Sequence, residues 1–284
     1  MGSVKPALFG IIGYPLSTTW SPALHEAGFR ACKLDHRYVS LPVPRARLRQ
    51  SLKGLSLLGV KGFNVTVPHK ESIVPLLASA SPLVRTLGAA NTVLAKPKGW
   101  HGENTDAAGF ATSLWRFERT LAAESAVVLG AGGAARAVVY ALVKHLGMSA
   151  VLVVARRASQ ARELARWASS LFPTAAVAGA SLSDTASWRG AFREAALVVQ
   201  ATPVGMGGRG RIVPSAWKFN KRQVACDLVY GERTDFLRRA LKDGARAKDG
   251  SGMLLAQAAL AFELFTGMSY PWRAIQKNLS RRGA

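Results

Sequence analysis

The sequence predicts an α/β protein built from two successive units, and three observations carry that prediction. Short apolar runs of strand length alternate with helix-length segments along the whole chain, the pattern of a parallel sheet covered by helices. A glycine-rich turn joins an apolar strand to an apolar helix near mid-chain, at 127–136, after a stretch with a strand–helix alternation of its own. At 284 residues the chain has room for two domains of ordinary size.

Taken in order, the strand candidates are 7–12, 36–42, 61–66, 90–95, 125–130, 150–155, 174–178, 196–201, 223–228 and 245–248. The helix candidates between them are 21–32, 45–58, 69–78, 81–87, 105–120, 133–146, 158–171, 184–193, 233–243, 250–266 and 271–282. Pro22 suits a helix start, where its missing N–H costs nothing. The helix from Thr105 is expected to link the units. Residues 1–104 then form a substrate domain completed by the C-terminal helices of about 251–284, and 105–250 form the nucleotide domain, with a cleft between them. The longest irregular stretch, Gly205–Asn220, contains Gly207-Gly208-Arg209-Gly210, the composition of a lid, a binding loop or a mobile connection.

Composition narrows the class. Apolar residues at 49% and charged residues at 19% suit a globular core. No uninterrupted apolar run of membrane-spanning length occurs, and the first residues lack the apolar stretch and cleavage site of a signal peptide, so a cytoplasmic protein is expected. Cys32 and Cys226 are too isolated for a disulfide framework, and His25, His36, His69, His101 and His145 show no ligand spacing with Cys or carboxylates. We therefore expect no metal, and read the histidines as ordinary surface or partly buried residues. The net charge of +22 comes from 38 basic and 16 acidic residues. The basic residues are dispersed, as in Arg45, Arg47, Arg49 and Lys53, in Arg238, Arg239 and Lys242, and in Arg281 and Arg282. No aromatic-interleaved basic motif accompanies them, so a specific nucleic-acid partner is not expected. A positive surface does favour encounter with anionic small molecules.

Residues 127–136 read VVLGAGGAAR. This is the G-x-G-x-x-G/A pattern of a Rossmann-like dinucleotide-binding turn. Gly130 permits the tight turn, Gly132 lets backbone approach a pyrophosphate, and Ala135 lets helix and strand pack closely. With Ala131, Gly133 and Ala134 they form the cradle, and the helix N-terminus offers N–H groups to phosphate. A dinucleotide without a 2′-phosphate wants a carboxylate after the second strand. Here that strand ends in Ala155-Arg156-Arg157, and the first acidic residue after the turn is Glu163. Two guanidiniums suit a 2′-phosphate, so the expected cofactor is NADP(H). The bland alternative is an ordinary βα turn beside a surface arginine pair.

Four segments of the first half carry polar residues that an apolar core has little use for. Thr19 and Ser21 precede a helix and suit a carboxylate, although Ser21 reads equally as a plain helix cap. Asn64-Val65-Thr66-Val67-Pro68-His69-Lys70 ends a strand, where α/β proteins place ligands. Lys70 is expected in the first turn of a helix, unfavourably against its dipole, which suggests a purpose. Asn91 starts a strand with donor and acceptor both available. Asp106 opens the linking helix, where a carboxylate is stabilised. For each taken alone, capping or solvation competes with function.

Together these segments resemble the shikimate dehydrogenase family. The residues that carry the resemblance are Gly62-Phe63-Asn64-Val65-Thr66-Val67-Pro68-His69-Lys70, Ala89-Ala90-Asn91-Thr92 and Gly102-Glu103-Asn104-Thr105-Asp106-Ala107-Ala108-Gly109. Further along come Ala201-Thr202-Pro203-Val204-Gly205-Met206, Asp227-Leu228-Val229-Tyr230 and Gly252-Met253-Leu254-Leu255-Ala256-Gln257-Ala258. The resemblance implies reversible, NADP(H)-dependent reduction of 3-dehydroshikimate to shikimate, with Lys70 and Asp106 as the catalytic pair. It implies that Thr19, Ser21, Asn64, Thr66, Asn91, Tyr230 and Gln257 line the substrate pocket. It places Gly130, Gly132, Gly133 and Ala134 at the pyrophosphate, Arg156 at the 2′-phosphate, with Arg157 beside it, and Thr202, Met206, Val229 and Gly252 on the cofactor side. The chain departs from the family pattern at Tyr14 (commonly Asn), Thr18 (His), Thr19 (Ser), Ala155 and Arg157 (Asn and Thr), and Gln200 (Asn). Thr19 bears on which ring acid fits, so a quinate/shikimate or aminoshikimate dehydrogenase is the alternative within the family. A nucleotide-sensing regulatory homologue is the alternative outside catalysis. A monomer or homodimer is expected.

Overall fold

The computed structural model describes residues 5–16 and 19–272, and it divides into two compact units, Met1–Thr105 with Gln257–Ala284, and Asp106–Ala256. The first unit contains β1 (Leu8–Gly13), α1 (Ser21–Ala31), β2 (Arg37–Pro42), α2 (Leu48–Leu57), β3 (Gly62–Val65), β4 (Ser79–Ala80), α3 (Pro82–Leu87), β5 (Thr92–Lys96) and β6 (Gly99–Glu103). Its sheet runs β2-β1-β3-β5-β6-β4. The β1 strand pairs in parallel with β2 and β3, whereas β5 is antiparallel to both β3 and β6. One side of the sheet buries Ile12, Phe63, Val65, Val93 and Trp100 against Leu48, Leu52 and Leu55 of α2.

The sequence-based expectation of a purely parallel sheet therefore fails at β5–β6. Residues 99–103 read Gly-Trp-His-Gly-Glu and lack the apolar run of a strand. They pair because Pro97-Lys98 closes a two-residue hairpin in which Lys96 faces Gly99, whose φ is +118°. The helix expected over 69–78 is also absent. That segment is a series of turns with one short 3₁₀ turn at Val74–Leu76. Pro75 has no N–H to donate, and its ring opposes the carbonyl four residues back, so an α-helix cannot pass through it. Lys70 consequently sits in a turn and does not oppose a helix dipole, contrary to the expectation from the sequence.

The second unit contains α4 (Asp106–Ser113), α5 (Glu118–Leu121), β7 (Ser125–Leu129), α6 (Gly133–Lys144), β8 (Ala150–Ala155), α7 (Ala158–Leu171), β9 (Ala176–Ser181), α8 (Thr185–Glu194), β10 (Leu197–Gln200), β11 (Val224–Asp227), α9 (Asp235–Lys242) and β12 (Arg246–Lys248). The last helix, α10 (Ser251–Thr266), runs across the division at Gln257. The single helix expected over 105–120 is broken after Ser113. The Ser113 hydroxyl donates to the Phe110 carbonyl at 2.6 Å and competes with the helical ladder. The helix expected over 271–282 lies outside the described residues from 273 onward.

The second sheet is all parallel, in the order β12-β11-β10-β7-β8-β9. Each strand is separated from the next by a helix or a long loop, and the order reverses between β7 and β10. That reversal is the topological switch point, where ligands bind beyond the carboxyl ends of the strands. Val127, Leu129, Val198 and Ala225 pack there with Trp188, Phe192 and Phe236.

The glycine-bearing loop after β10 is tied down rather than loose. Gly207 N–H donates to the Glu232 carboxylate at 2.7 Å. Further along, the Arg239 guanidinium donates to the carbonyls of Val213 (2.6 Å), Pro214 (2.8 Å) and Trp217 (2.7 Å). Its side chain is only 16% exposed and also pairs with Asp235. Replacing it leaves several carbonyls without a donor. Arg239→Leu is expected to lower the free energy of unfolding by roughly 2–4 kcal/mol in urea titrations. Arg30→Ala, which removes a pair with Glu26 from an arginine that is 68% exposed, changes it by less than about 1 kcal/mol.

Candidate active site

The first unit gathers its polar residues at the carboxyl ends of β1 and β3 and around β5. Helix α1 begins at Ser21, with Trp20 at the N-cap position and no side-chain cap bond. Ser21 is therefore not the cap that its position allows. Its N–H donates to Thr19 Oγ1 at 3.3 Å, and the Thr19 hydroxyl donates to Ser21 Oγ at 3.2 Å. The result is a hydroxyl pair at the positive end of a helix, an arrangement suited to an anion. Thr18 lies outside the described residues. Thr66 follows β3, and its N–H donates to the Ile12 carbonyl, which places it beside the end of β1.

Lys70 is half-buried, and its carbonyl accepts from Ala90 N–H at 2.8 Å. That bond sets the lysine next to the segment containing Asn91. The buried His69 anchors the same turn through Nε2, which donates to the Val43 carbonyl at 2.6 Å. Asn91 is 2% exposed. Its Oδ1 accepts from Thr105 N–H at 2.8 Å and from the Thr92 hydroxyl at 3.1 Å. Its Nδ2 donates to Thr105 Oγ1 at 2.9 Å and to Gln257 Oε1 at 3.4 Å. Asn64 is committed internally: Oδ1 accepts from the Tyr38 hydroxyl, and Nδ2 donates to the Asn91 carbonyl and to Thr92 Oγ1. It ties β3 to Tyr38 of β2 and to Asn91 and Thr92 at the start of β5, a role that the sequence pattern did not reveal. Tyr38 and Thr105 were missed as well, because a tyrosine in a strand and a threonine before a helix carry no signal of their own.

Three histidines depart from expectation. His25, His36 and His69 are buried, at 1%, 5% and 0% exposure. His25 sits among Tyr38, Phe29, Phe262 and Phe265, stacked on Tyr38 with centroids 4.3 Å apart and planes 4° apart. Neither ring nitrogen makes a hydrogen bond of good geometry, and burial, opposed in smaller part by the nearby Asn64 side chain, pushes its pKa down to about 3. It is a neutral, flat, packing side chain. Among the described residues no group of three or more His, Cys, Asp or Glu is placed to hold a metal ion.

In the second unit Asp106 opens α4 and is 3% exposed. The glycine turn sits at the switch point. Gly130 has φ +123°, its N–H donates to the Val154 carbonyl, and a Cβ there would lie 2.9 Å from the Ala201 carbonyl oxygen. Only glycine fits. A Cβ on Gly132, at the N-cap of α6, would meet nothing within 4 Å. The first turn of α6 has no acidic side chain, and Arg156 and Arg157 are exposed beyond β8, with Arg157 Nε donating to Gln160 Oε1. Open space at Gly132, a helix N-terminus and exposed guanidiniums fit a phosphorylated dinucleotide.

Thr202 is held by Gln200, which is fully buried. Gln200 Oε1 accepts from both the N–H and the hydroxyl of Thr202 at 2.7 Å, and Nε2 donates to the carbonyls of Thr202 (3.0 Å) and Val204 (2.7 Å). Met206 is exposed in the following loop. Val229 and Tyr230 follow β11, where Asp227 Oδ1 accepts from Val229 N–H at 3.0 Å and Oδ2 accepts from the Thr234 hydroxyl at 2.5 Å. A Cβ on Gly252 would lie 3.2 Å from Ser113 Cβ. Sequence reasoning assigned no role to Gln200 or Asp227, although a polar residue at each of two neighbouring strand ends was the available signal.

Residues 11–93 match a family described as the shikimate dehydrogenase substrate binding domain, and residues 250–271 match the shikimate 5'-dehydrogenase C-terminal domain. A relative from Anaeromyxobacter sp. (strain K), named shikimate dehydrogenase (NADP(+)), is 39% identical over 98% of this chain and 97% of its own length. The shikimate 5-dehydrogenase of Thermus thermophilus, solved with NADP(H) and shikimate, superposes with a TM-score of 0.80 at 33% identity, covering 97% of this chain and 99% of that one. The quinate dehydrogenase of Corynebacterium glutamicum, solved with NAD, superposes with a TM-score of 0.84 at 33% identity, covering 97% of this chain and all (100%) of the other.

The buried Asp227 gives a pH signature. Burial, with smaller effects from Asp249 and Glu232, raises its pKa from 3.8 to about 6 despite the bonds from Thr234 and Val229. Between those values the folded chain keeps a proton that the unfolded chain releases. Its contribution to stability is therefore complete below about pH 4 and is lost as pH rises through about 6. Thermal unfolding of the native chain and Asp227→Asn across pH 3–8 is expected to show the native chain losing stability relative to the variant over this window. Parallel curves contradict the assignment.

Proposed function

The chain belongs to the shikimate dehydrogenase family, and from that premise we propose that it interconverts 3-dehydroshikimate and shikimate through the residues described above. The reaction is the reversible, NADP(H)-dependent reduction of the ketone, an oxidoreductase step leading towards chorismate and the aromatic amino acids. The observation that carries this reading is 39% identity, over 98% of the chain, to a relative named shikimate dehydrogenase (NADP(+)).

When bound, NADPH supplies hydride to the carbonyl carbon. The oxygen of that carbonyl then gains negative charge and needs a donor. Lys70, held by the bond from Ala90 N–H to its carbonyl, donates the proton to that oxygen, and in its neutral form takes it back in the oxidative direction. The carboxylate of Asp106 accepts from a substrate hydroxyl. Thr19 and Ser21 receive the substrate carboxylate, Asn91 and Gln257 bind ring hydroxyls, and Asn64, Thr66 and Tyr230 line the pocket. Gly130, Ala131, Gly132, Gly133 and Ala134 cradle the pyrophosphate, and Arg156 with Arg157 binds the 2′-phosphate. Thr202, Met206, Val229 and Gly252 border the nicotinamide.

The Corynebacterium structure keeps quinate with NAD in the comparison. The arginine pair after β8, with no carboxylate beside it, favours NADP. Among the described residues no helix is long and apolar enough to cross a membrane. We take the cytoplasm as the setting and a monomer or homodimer as the working state, to be read by light scattering.

Cofactor reduction with shikimate and NADP⁺ is expected to exceed the rate with quinate or with NAD⁺; a preference for either sinks the reading. Lys70→Ala is expected to lower kcat by about 10²–10⁴-fold while NADP⁺ affinity stays within about twofold. Arg156→Ala is expected to raise KM for NADP⁺ by about 10–100-fold and leave NAD⁺ kinetics unchanged, as removal of charge-assisted bonds to one phosphate requires.

A further inference from the structure

A row of polar side chains in the first unit takes no part in the chemistry above. Ser79 Oγ stands 2.8 Å from His101 Nδ1, and His101 Nε2 stands 3.0 Å from Glu103 Oε1. The sheet builds this row. Strand β4 lies at the sheet edge and pairs in parallel with β6, Ser79 opposite His101 and Ala80 opposite Gly102. Residues opposite each other in a strand pair share a face, as do residues two apart along a strand. Ser79, His101 and Glu103 therefore project together, while Trp100, between Gly99 and His101, packs into the core on the other face. Ser79 is exposed, and the side chains of His101 and Glu103 keep 22% and 26% of their surface in water. As a carboxylate, Glu103 can only accept, so the imidazole proton sits on Nε2 and Nδ1 carries the lone pair. The bond at Nδ1 then has one direction, with the Ser79 hydroxyl donating. A serine whose proton points at an imidazole lone pair, with the far ring nitrogen held by a carboxylate, has the parts of an activated nucleophile. The two ring nitrogens exchange the places they take in the serine-protease triad. The roles are unchanged, because either nitrogen accepts when the other carries the proton.

We propose that Ser79 is a further reactive site of this chain, a nucleophilic serine that takes the acyl group of an activated ester, with His101 as its base and Glu103 as the residue that positions the base. In the acylation Oγ bonds the ester carbonyl carbon and its proton passes to His101 Nδ1. The bond from that carbon to the alcohol oxygen breaks, and the proton on Nδ1 goes to the departing oxygen. The imidazolium formed in between carries both ring protons, and Glu103 faces the one on Nε2. Water then repeats the sequence. It bonds the acyl carbon and gives a proton to Nδ1, and Ser79 Oγ leaves with that proton as the free acid forms. The step needs no NADP(H) and no shikimate. Because the row lies at a sheet edge in contact with water, it suits aryl esters. Their carbonyl carbon is electrophilic, and their phenol departs readily without a cage of donors at the carbonyl oxygen.

The test treats the full chain with p-nitrophenyl acetate and follows where acetyl groups appear by peptide mass spectrometry over time. Ser79→Ala, His101→Ala and Glu103→Gln are treated in the same way, with melting temperatures measured in parallel. Acetyl is expected on Ser79 sooner than on any other serine, and Ser79→Ala is expected to lose the matching early release of p-nitrophenol. His101→Ala is expected to slow acetylation of Ser79 by about 10–100-fold, as loss of a general base requires. Glu103→Gln keeps the shape and removes the charge. It is expected to slow the step by less, about 3–10-fold, because that charge is partly open to water. Should His101→Ala melt early, diisopropyl fluorophosphate on the native chain answers the same question without a variant, with the label expected on Ser79. Acetyl confined to lysines, acetyl that stays on the His101 ring, Ser79 labelled no faster than other serines, or an unchanged rate in a folded His101→Ala each overturn the proposal.

Discussion

A buried carboxamide must be satisfied on both of its edges, and both units of this protein are organised around that requirement. An amide left unpaired in an apolar core costs more than its hydrogen bonds return when made. In the first unit Asn64 and Asn91 answer the requirement by bonding across β2, β3 and β5 and to the backbone of Thr105. In the second unit Gln200 answers it by folding the chain after β10 back on itself, with both amide edges bound to Thr202 and with Nε2 also reaching the Val204 carbonyl. In each case an amide at or near a strand end converts a loop into a fixed surface. Fixed surfaces are what a site for small polar molecules needs, because donors and acceptors must be aimed before the ligand arrives.

Steric exclusion works beside this. Gly130 turns at φ +123° with the Ala201 carbonyl oxygen 2.9 Å from where a Cβ would stand. The Gln200 network holds that neighbouring segment in place, so glycine turn and amide are two parts of one device. Moving Ala201 would relieve the demand for glycine, and Gln200 prevents the move. The space at Gly132 follows from the same arrangement, since its N-cap geometry directs backbone N–H groups, and no side chain, beyond the carboxyl end of β7.

What the sequence made legible was whatever has a local cause. The VVLGAGGAAR run needs only its own glycines to announce a strand, a turn and a helix, and α6 begins at Gly133. The polar ends of β1 and β3 were legible for a similar reason, because hydroxyls and amides interrupt apolar runs. What stayed hidden depends on partners distant in sequence. Tyr38 looks like any strand aromatic until Asn64, 26 positions away, meets its hydroxyl. His25 looks like an ordinary histidine until aromatic side chains from α1, β2 and α10 close around it. The β5–β6 hairpin was overlooked because the strand after Pro97-Lys98 is built from Gly, His and Glu, and pairing rather than hydrophobicity makes it a strand. The helix expected at 69–78 failed through a local cause that apolar periodicity outweighed in the reading, the proline at position 75.

The departures from the family pattern gain a physical sense at this level. At the end of β10 a shorter amide is common, and Gln200 extends the reach by one methylene. Its four hydrogen bonds to Thr202 and Val204 use that length, and no buried polar atom of Gln200 is left over. At the start of α1, Thr19 replaces a serine and keeps the hydroxyl. Its added methyl restricts χ1, so the oxygen is stiffer in the position where it both donates to Ser21 Oγ and accepts from Ser21 N–H. A stiffer hydroxyl pair holds both oxygens in place at the helix end, and the methyl takes up space beside them. The Thr19–Ser21 pair and the Asn91–Gln257 pair are separate groups on separate elements, and each is held by bonds to its neighbours.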